Sequence, residues 1–396
     1  MKRESIVKKG LAIFFVVVLL IAFLKSGSYR QLDLIAGYLQ QNDSAQMDLI
    51  EANFTSNVWK QQSLINLNGA MARKLNMRGY YSDLKMYITE NDYIVSASPY
   101  TTTDYEYEQT VAFRDFLSTH GINLLYVNEP TKYIEDDAFL QYGVETYSNR
   151  NADQFLRRLE FANVNTIDLR ENIVADNLTM EDLFYRTDHH WTTRTGLWAT
   201  QIIAQGLNEK CGYNIDTSIY DIGNYSIKRW ENCWLGEQGR KVAKTYVGLD
   251  DYEEITPNFA TNFSFKNGDG TTWEGTFDNF IDESVYGIEK NTDANPSWYY
   301  SYYLRDCVNN NVSNGKVLLI ADSYSHVTQP FLALGVREMD TIVLRDCDSE
   351  FDLGNFILEN GYDTVVIAYA QFMIGAHDDP DSANYRMFTF MKNGEE

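Results

Sequence analysis

Short apolar runs that alternate with helical patterns are the feature that most constrains how this chain folds. In the first half, buried-strand runs at 123–128 and 164–169 follow helical patterns at about 105–119 and 151–162. Short apolar runs between helices are typical of strands in a parallel sheet, because the crossover helices cover both faces of that sheet. The pattern predicts an α/β domain whose sheet is mainly parallel and is flanked by helices.

A second set of the same kind lies near the carboxyl terminus. Strand runs are predicted at 316–321, 341–344 and 363–368, with a helix at about 351–359. Between the two sets, residues 210–300 are rich in Trp, Tyr, Asn and Gly, and 263–277 has the pattern of a hairpin. We therefore expect both sets to build one sheet, interrupted by an inserted, aromatic-rich and partly β subdomain.

The amino terminus carries a targeting signal. Lys2, Arg3, Lys8 and Lys9 precede an uncharged run at 11–24. This pattern favours a single-pass anchor with its basic tip in the cytoplasm and the following domain outside. A cleaved signal peptide remains the alternative, since a membrane helix needs roughly 17 to 25 apolar residues.

These signals predict five segments of the chain. They are a basic tip and anchor at 1–30, a helical stalk at 31–79, the first part of the α/β domain at 80–209, the insertion at 210–300, and the second part of the domain at 301–396.

Charge and cysteine content exclude some classes of function. The net charge of -23 is spread without a basic patch, whereas nucleic-acid binding needs clustered Lys and Arg to neutralise phosphates. The four cysteines contain no C-x-x-C pair, which argues against a zinc or thioredoxin-type site. A disulfide such as Cys211 with Cys233 and free thiols both remain open.

The stretch Thr187-Asp-His-His-Trp-Thr-Thr-Arg-Thr-Gly196 is the first candidate for chemistry. A carboxylate beside an imidazole is the arrangement that general-base catalysis uses, because the carboxylate orients the ring and stabilises its protonated form. A polar loop that caps the next helix is the structural alternative. A metal site would need further carboxylate motifs at the early strand ends, which we do not find, so we predict neither a metal nor another cofactor.

The second candidate follows the apolar strand 316–321, where Asp322 and Ser323 precede a helical stretch. A side chain at the carboxyl end of a parallel strand projects into the crevice in which α/β proteins bind ligands. Ser323 is the candidate nucleophile, and it needs a neighbouring base because a free hydroxyl is a weak nucleophile. On its own, the motif is equally consistent with a helix cap.

Together, Thr187-Asp-His-His-Trp191 and Ala321-Asp-Ser-Tyr-Ser325 resemble the DHHW protein family, which is related to the SGNH-hydrolase-like O-acetyltransferases of bacterial exopolysaccharides, including alginate. The resemblance covers roughly residues 80–375. It implies an SGNH-like fold, Ser323 as the nucleophile, His190 as the base and Asp188 as the orienting acid. His189 is then the intervening residue.

The oxyanion hole is less well defined by this resemblance. The Gly that usually opens the nucleophile motif is Ala321 here, and no clear Gly/Asn pair completes the hole. The backbone N–H of Ser323 is the natural first donor. Candidates that line the same crevice are Asn128, Tyr324, Tyr369 and Gln371.

The resemblance also implies a function. We expect an extracytoplasmic O-acetyltransferase that modifies a cell-envelope or secreted polysaccharide through an acyl-serine, supplied with acetyl groups by a membrane-bound O-acyltransferase. A carbohydrate acetylesterase with the same triad is the first alternative. The second is a non-catalytic glycan-binding or scaffold protein of a polysaccharide export complex, which the altered Ala321 keeps open.

Overall fold

The computed structural model describes residues 60–78, 86–132, 145–281, 302–375 and 385–391, with isolated positions between 13 and 26. The chain divides into two units, residues 1–71 and 72–396, and both candidate motifs lie in the second. Most of the predicted anchor and the stalk residues before 60 lie outside the described residues. Among the described residues, no helix is both long enough and apolar enough to cross a membrane.

Most of the strands predicted from the sequence are present in the structure. In chain order they are β1 (Met86–Ile88), β2 (Ile94–Ser96), β3 (Asn123–Glu129), β4 (Asn165–Asp168), β5 (Tyr225–Trp234), β6 (Asp250–Pro257), β7 (Phe263–Lys266), β8 (Thr272–Gly275), β9 (Cys307–Asn309), β10 (Lys316–Ala321), β11 (Glu338–Ile342) and β12 (Thr364–Ala370).

Within the described ranges, eight of these strands form one sheet in the order β4-β3-β12-β10-β11-β9-β7-β8. The strands from β4 to β11 pair in parallel, and β9, β7 and β8 extend one edge in antiparallel pairing. The prediction of a large, mostly parallel sheet is confirmed. Both sequence sets contribute to it, because β12 and β10 insert directly beside β3.

Helices cover both faces of this sheet. In chain order, the α-helices of the described residues are α1 (Gln61–Lys74), α2 (Asp104–Thr119), α3 (Ser148–Phe161), α4 (Leu169–Ala175), α5 (Met180–Leu183), α6 (Thr193–Cys211), α7 (Glu237–Val242), α8 (Lys244–Val247), α9 (Gln329–Leu332) and α10 (Leu353–Asn360).

Alternating side chains of the central strands feed two separate cores. In β12, Val366 and Ala368 pack into the core that contains α6, whereas Val365 and Ile367 pack into the core that contains α2, α3 and α10. Strand side chains alternate between faces, and both faces of this sheet are covered, so the strand reads as a continuous apolar run. This burial explains why the central strands were predictable from sequence.

Strand β11 differs from its predicted position. The expected strand at 341–344 is found at Glu338–Ile342, three residues earlier at its start. The apolar pattern misses this start because Glu338 and Asp340 are charged. In the fold, the ammonium of Lys266 on β7 contacts both carboxylates, which allows acidic residues in this strand.

The segment predicted as an insertion contributes to two sheets. The expected hairpin at 263–277 is present as β7 and β8, and it joins the main sheet through β9. Strands β5 and β6 form a separate antiparallel ribbon. Several aromatic rings of this segment are buried, among them Trp234 and Phe280. The domain boundaries themselves stay predictions.

All four cysteines are free thiols, so the Cys211 and Cys233 side chains are not linked. Burial raises the pKa of each thiol, most strongly for Cys307, which keeps them in the neutral form.

Candidate active site

Ser323 lies immediately beyond the carboxyl end of β10, in the first position of a 3₁₀ turn. The buried Asp322 carboxylate holds this turn in place. Its Oδ1 accepts a hydrogen bond from the Tyr324 N–H at 2.8 Å, and its Oδ2 accepts one from the Ala370 N–H at 2.7 Å. The turn that begins at Ser323 is therefore tied to the end of the neighbouring strand β12.

The Asp-His-His-Trp loop enters helix α6, whose amino terminus is capped by Thr192. Trp191 links this loop to the turn that begins at Ser323, because its Nε1–H donates to the Tyr324 carbonyl at 3.1 Å. The two elements also pack closely at Gly196, where an added Cβ would lie 2.1 Å from the Val327 carbonyl oxygen. Residues 133 positions apart in the sequence thus meet at the carboxyl edge of the sheet.

Asp188, His190 and Ser323 form a continuous hydrogen-bonded relay. His190 Nδ1 lies 2.6 Å from Asp188 Oδ1, and His190 Nε2 lies 2.8 Å from Ser323 Oγ. Asp188 and His190 are buried, while Ser323 is part exposed. This geometry allows His190 to take a proton from Ser323 while Asp188 stabilises the protonated ring.

Asp188 stays ionised although it is fully buried. Burial by itself raises the pKa of this carboxyl, but His190, His189 and hydrogen bonds from His190 hold the pKa well below its ordinary value. The His190 N–H donates to Oδ1 at 3.0 Å, and the Glu237 N–H donates to Oδ2 at 2.6 Å. A carboxylate with several donors is stable without solvent.

Two elements of the predicted insertion hold the Asp188 loop. Gly236 packs against Asp188, so that an added Cβ would lie 2.3 Å from the Asp188 Cβ. On β6, the Asp250 Oδ2 accepts hydrogen bonds from the Thr187 N–H at 2.8 Å and from the Thr187 hydroxyl at 2.6 Å. Sequence reasoning missed these residues. The glycine pair Gly236 and Gly239 was the available signal, because closely spaced glycines indicate close backbone approach.

His189 contacts the same carboxylate as His190. Its Nδ1 lies 3.2 Å from Asp188 Oδ1, and its ring centroid is 3.9 Å from that of His190. Burial and the neighbouring His190 lower the pKa of His189, and Asp188 only partly opposes this shift. Two imidazoles therefore share one carboxylate, and one of them contacts Ser323.

Asp188, His189 and His190 are also the group that could hold a metal ion, since their ligand atoms lie within 4.8 Å of one another. The nitrogens of His190, however, are both engaged, one with Asp188 and one with Ser323. A metal bound to either nitrogen would displace one of these hydrogen bonds. The donor set therefore fits a proton relay better than a metal centre.

The four candidate lining residues have different positions. Tyr324 is next to the relay, with its ring centroid 5.4 Å from that of His190. The donors of the other three are used within the protein. Asn128 donates to Asp168 and Gln371, Gln371 donates to Ser148 and Asn149, and Tyr369 donates to the Met387 carbonyl.

Asn128, Tyr369 and Gln371 therefore offer no spare side-chain donor to an oxyanion. Among the described residues, the Ser323 N–H donates to no protein acceptor. It remains the best candidate for the first oxyanion donor.

Two buried charged residues near the site were also not predicted. Lys132 Nζ donates to the Ile94 carbonyl at 2.8 Å and to the Arg186 carbonyl at 3.2 Å, and burial lowers its pKa to about 7. Glu129 ends β3, and burial followed by repulsion from Asp322 raises its pKa. Neither residue belongs to a recognisable motif, so only the fold reveals them.

Residues 86–220 match the family described as "SGNH hydrolase-like domain, acetyltransferase AlgX". Bacillus cereus PatB1 has a similar structure, with a TM-score of 0.61 and 20% identity over 77% of this chain and 99% of that chain. The same protein with a sulfonyl adduct gives a TM-score of 0.60 at 20% identity, over 77% of this chain and 97% of that chain.

A DHHW family protein from Eubacterium siraeum is similar as well, with a TM-score of 0.54 and 16% identity over 76% of this chain and 92% of that chain. The chain has an SGNH hydrolase-like fold. The resemblance inferred from the two motifs is confirmed. No curated protein matches the sequence of the chain.

The matched part of the SGNH hydrolase-like domain contains Asp188 and His190 but ends before Ser323. Ser323 is placed beside them by β10, which lies between β12 and β11 in the parallel part of the sheet. The fold thus brings the two motifs together, whereas the family match covers only the first of them.

Proposed function

We propose that the chain transfers an acetyl group to a hydroxyl of a polysaccharide through an acyl-serine at Ser323. The observation that carries this proposal is the relay from Asp188 through His190 to Ser323, with heavy-atom distances of 2.6 and 2.8 Å. Both distances are within the range of hydrogen bonds that activate a serine.

In the first half-reaction, Ser323 Oγ attacks the carbonyl carbon of an acetyl ester and passes its proton to His190 Nε2. The ester bond breaks, His190 returns the proton to the leaving alcohol oxygen, and the acetyl group remains on Ser323. Asp188 stabilises the imidazolium while it exists, and the Ser323 N–H faces the developing oxyanion.

In the second half-reaction, an acceptor hydroxyl attacks the acetyl-serine carbonyl carbon. Its proton moves to His190 Nε2 and then to Ser323 Oγ as the bond from serine to the acetyl group breaks. The products are an acetylated acceptor and the free enzyme. The same steps with water in place of the acceptor would be hydrolysis.

The choice of a polysaccharide acceptor rests on the family resemblance and on the acetyltransferase named in the matched family. The basic tip and apolar run at the amino terminus support an extracytoplasmic domain with a membrane anchor. Such a domain is separated from cytoplasmic acetyl donors, which supports a membrane-bound O-acyltransferase as the partner that supplies the acetyl group.

The proposal is tested with the full-length chain, a chromogenic acetyl ester and an oligosaccharide acceptor. We expect Ser323→Ala to lower kcat by at least about 10³-fold and Asp188→Asn to lower it by about 10³ to 10⁴-fold. Ser325→Ala is the matched control, because the buried Ser325 hydroxyl has no hydrogen-bond partner among the described residues. A chelator is expected to leave the rate unchanged.

Each other outcome points to a different conclusion. Activity that survives Ser323→Ala would rule out the triad. Ester hydrolysis without acetylation of any acceptor would favour the esterase alternative, and no activity in any form would favour the scaffold alternative. A rate that a chelator abolishes and zinc restores would favour a metal site at Asp188, His189 and His190.

A further inference from the structure

A cavity of about 380 Å³ lies beside the relay, on the side of His189. Its wall includes His189 and Tyr324, the immediate sequence neighbours of His190 and Ser323. The Tyr324 hydroxyl donates to the His189 carbonyl, which fixes these two wall residues relative to each other. The cavity volume lies within the range of about 300 to 1,000 Å³ that is common for small-ligand sites.

The position of His189 beside Asp188 leaves one of its ring nitrogens available to this cavity. Its Nδ1 lies 3.2 Å from Asp188 Oδ1, and because the ionised carboxylate can only accept a hydrogen bond, this contact favours the tautomer that carries the proton on Nδ1. A neutral ring protonated at Nδ1 has an unprotonated Nε2, which is a hydrogen-bond acceptor. Among the described residues, no donor contacts His189 Nε2, and 28% of the side chain is exposed.

The open side of the cavity suits a polyhydroxylated ligand. Ser98, Thr131 and Lys241 line it and are at least part exposed. An apolar surface is offered by Phe372, whose ring centroid lies 5.7 Å from that of His189. Polar groups around an aromatic ring can bind the hydroxyls and the apolar face of a sugar at the same time.

We infer that His189 binds the acyl acceptor: its Nε2 accepts a hydrogen bond from a carbohydrate hydroxyl in this cavity, next to the hydroxyl that attacks the acetyl-serine. This inference rests on the proposed function. His189 takes no proton in the reaction, because the attacking hydroxyl gives its proton to His190. Its effect is to hold the acceptor in place, so that transfer competes with hydrolysis by water.

Three variants of His189 test the roles of its two ring nitrogens separately. His189→Asn keeps an N–H donor near the position of Nδ1 but removes Nε2. His189→Gln keeps an acceptor near the position of Nε2, and His189→Phe removes both nitrogens while keeping a ring. We expect the ratio of transfer to hydrolysis to fall by about tenfold in the Asn and Phe variants, and by less than about threefold in the Gln variant.

The matched control is His120→Asn, an exposed histidine at the end of α2, which should change neither rate. The assay measures hydrolysis of the chromogenic ester and acetylation of two pentasaccharides, one of β-1,4-linked N-acetylglucosamine and one of β-1,4-linked mannuronate. Hydrolysis and transfer that fall together in the Asn variant would overturn the inference, because His189 would then act through Asp188 and His190.

A binding experiment tests the role of His189 without the acetyl-transfer reaction. In the Ser323→Ala background, calorimetry with the same pentasaccharides should show affinity that His189→Asn lowers about tenfold and His189→Gln largely keeps. If the sugars bind in this way but are never acetylated, the inference holds and the proposed transfer fails. If neither sugar binds, or if His189→Asn binds as tightly as the parent, the inference is wrong.

Discussion

Single side chains join the two halves of the site, and Trp191 is the clearest case. Its indole N–H donates to the Tyr324 carbonyl, and its ring centroid lies 5.1 Å from that of Tyr324. Trp191 is almost fully buried, and its single N–H donates to Tyr324 rather than to Ser323. We therefore expect Trp191 to act as a positioning residue.

We expect Trp191→Phe to leave the fold intact but to loosen the Asp-His-His-Trp loop. Loss of the indole hydrogen bond leaves the Tyr324 carbonyl without this donor, which costs about 1 to 3 kcal/mol in unfolding free energy. The rate of Ser323 acylation should fall with it. Urea unfolding and the burst of chromogenic product measure the two effects.

Trp198→Phe is the control for this change, since the Trp198 indole N–H donates to the Asp176 carboxylate at a more exposed position. It should lose less stability and keep the acylation burst. Equal effects of both substitutions on the burst would contradict a positioning role for Trp191.

Among the structural elements, those of the predicted insertion hold Asp188 and Thr187 in place. The amino end of α7 donates to Asp188, and β6 supplies Asp250 to Thr187. Burial raises the pKa of Asp250, and hydrogen bonds from Thr187 partly offset the shift. Trp230 packs against Tyr252 in a small separate core. Most other buried aromatic rings of the segment belong to the main core that contains α6, and these are Tyr220, Tyr225, Phe263, Phe265, Phe277 and Phe280.

We expect Gly236→Ala to impair catalysis through Asp188. The new Cβ would lie 2.3 Å from the Asp188 Cβ and 2.5 Å from its Oδ2, so the carboxylate must move. Overpacking of this kind costs about 1 to 3 kcal/mol. The acylation rate, measured with the chromogenic ester, should fall by at least about tenfold.

Gly223→Ala provides the comparison, because an added Cβ there meets no atom within 4 Å. It should retain the parent activity and melting temperature. If Gly236→Ala behaves like Gly223→Ala, the close contact with Asp188 does not constrain the site.

At the scale of the whole molecule, buried carboxyls shape the pH dependence of stability. Burial raises the pKa of Asp306 to about 6, and nearby Asp340 adds to the shift. The folded chain then binds this proton more tightly than the unfolded chain does. Stability from this group is therefore present below its ordinary pKa and is lost as pH rises through about 6.

Between about pH 4 and pH 6.5, we expect the unfolding free energy of Asp306→Asn to fall less than that of the parent. Each unit of pKa shift corresponds to about 1.4 kcal/mol. The fall in unfolding free energy across this pH window should therefore be about 1 to 3 kcal/mol smaller than in the parent. The Asn side chain can still accept from the Thr341 N–H, which donates to Asp306 at 2.8 Å.

The measurement is the free energy of urea unfolding at a series of pH values. Glu231→Gln, which removes an exposed carboxylate on β5, serves as the control and should keep the parent slope. An unchanged slope in Asp306→Asn would show that this carboxyl does not govern the pH dependence.

The parallel sheet and the two motifs can be predicted from the amino-acid sequence alone. The central strands β3, β10 and β12 are buried on both faces, so that each reads as a local apolar run, and Thr192 marks the start of α6 as a cap. Asp188, His190 and Ser323 could be named because each belongs to a short pattern with chemical meaning. Such patterns consist of residues that are close in the sequence, so they can be recognised without knowledge of the fold.

The contacts that hold those residues in place come from distant parts of the chain, so they are visible only in the folded structure. Gly236, Asp250 and Lys132 reach the site from separate loops and strands, and their hydrogen bonds and packing depend on distances that no local pattern encodes. The same holds for the charged strand β11, which is stabilised by Lys266 from β7. The shared use of Asp188 by two histidines likewise became visible only once the loop had folded around that buried carboxylate.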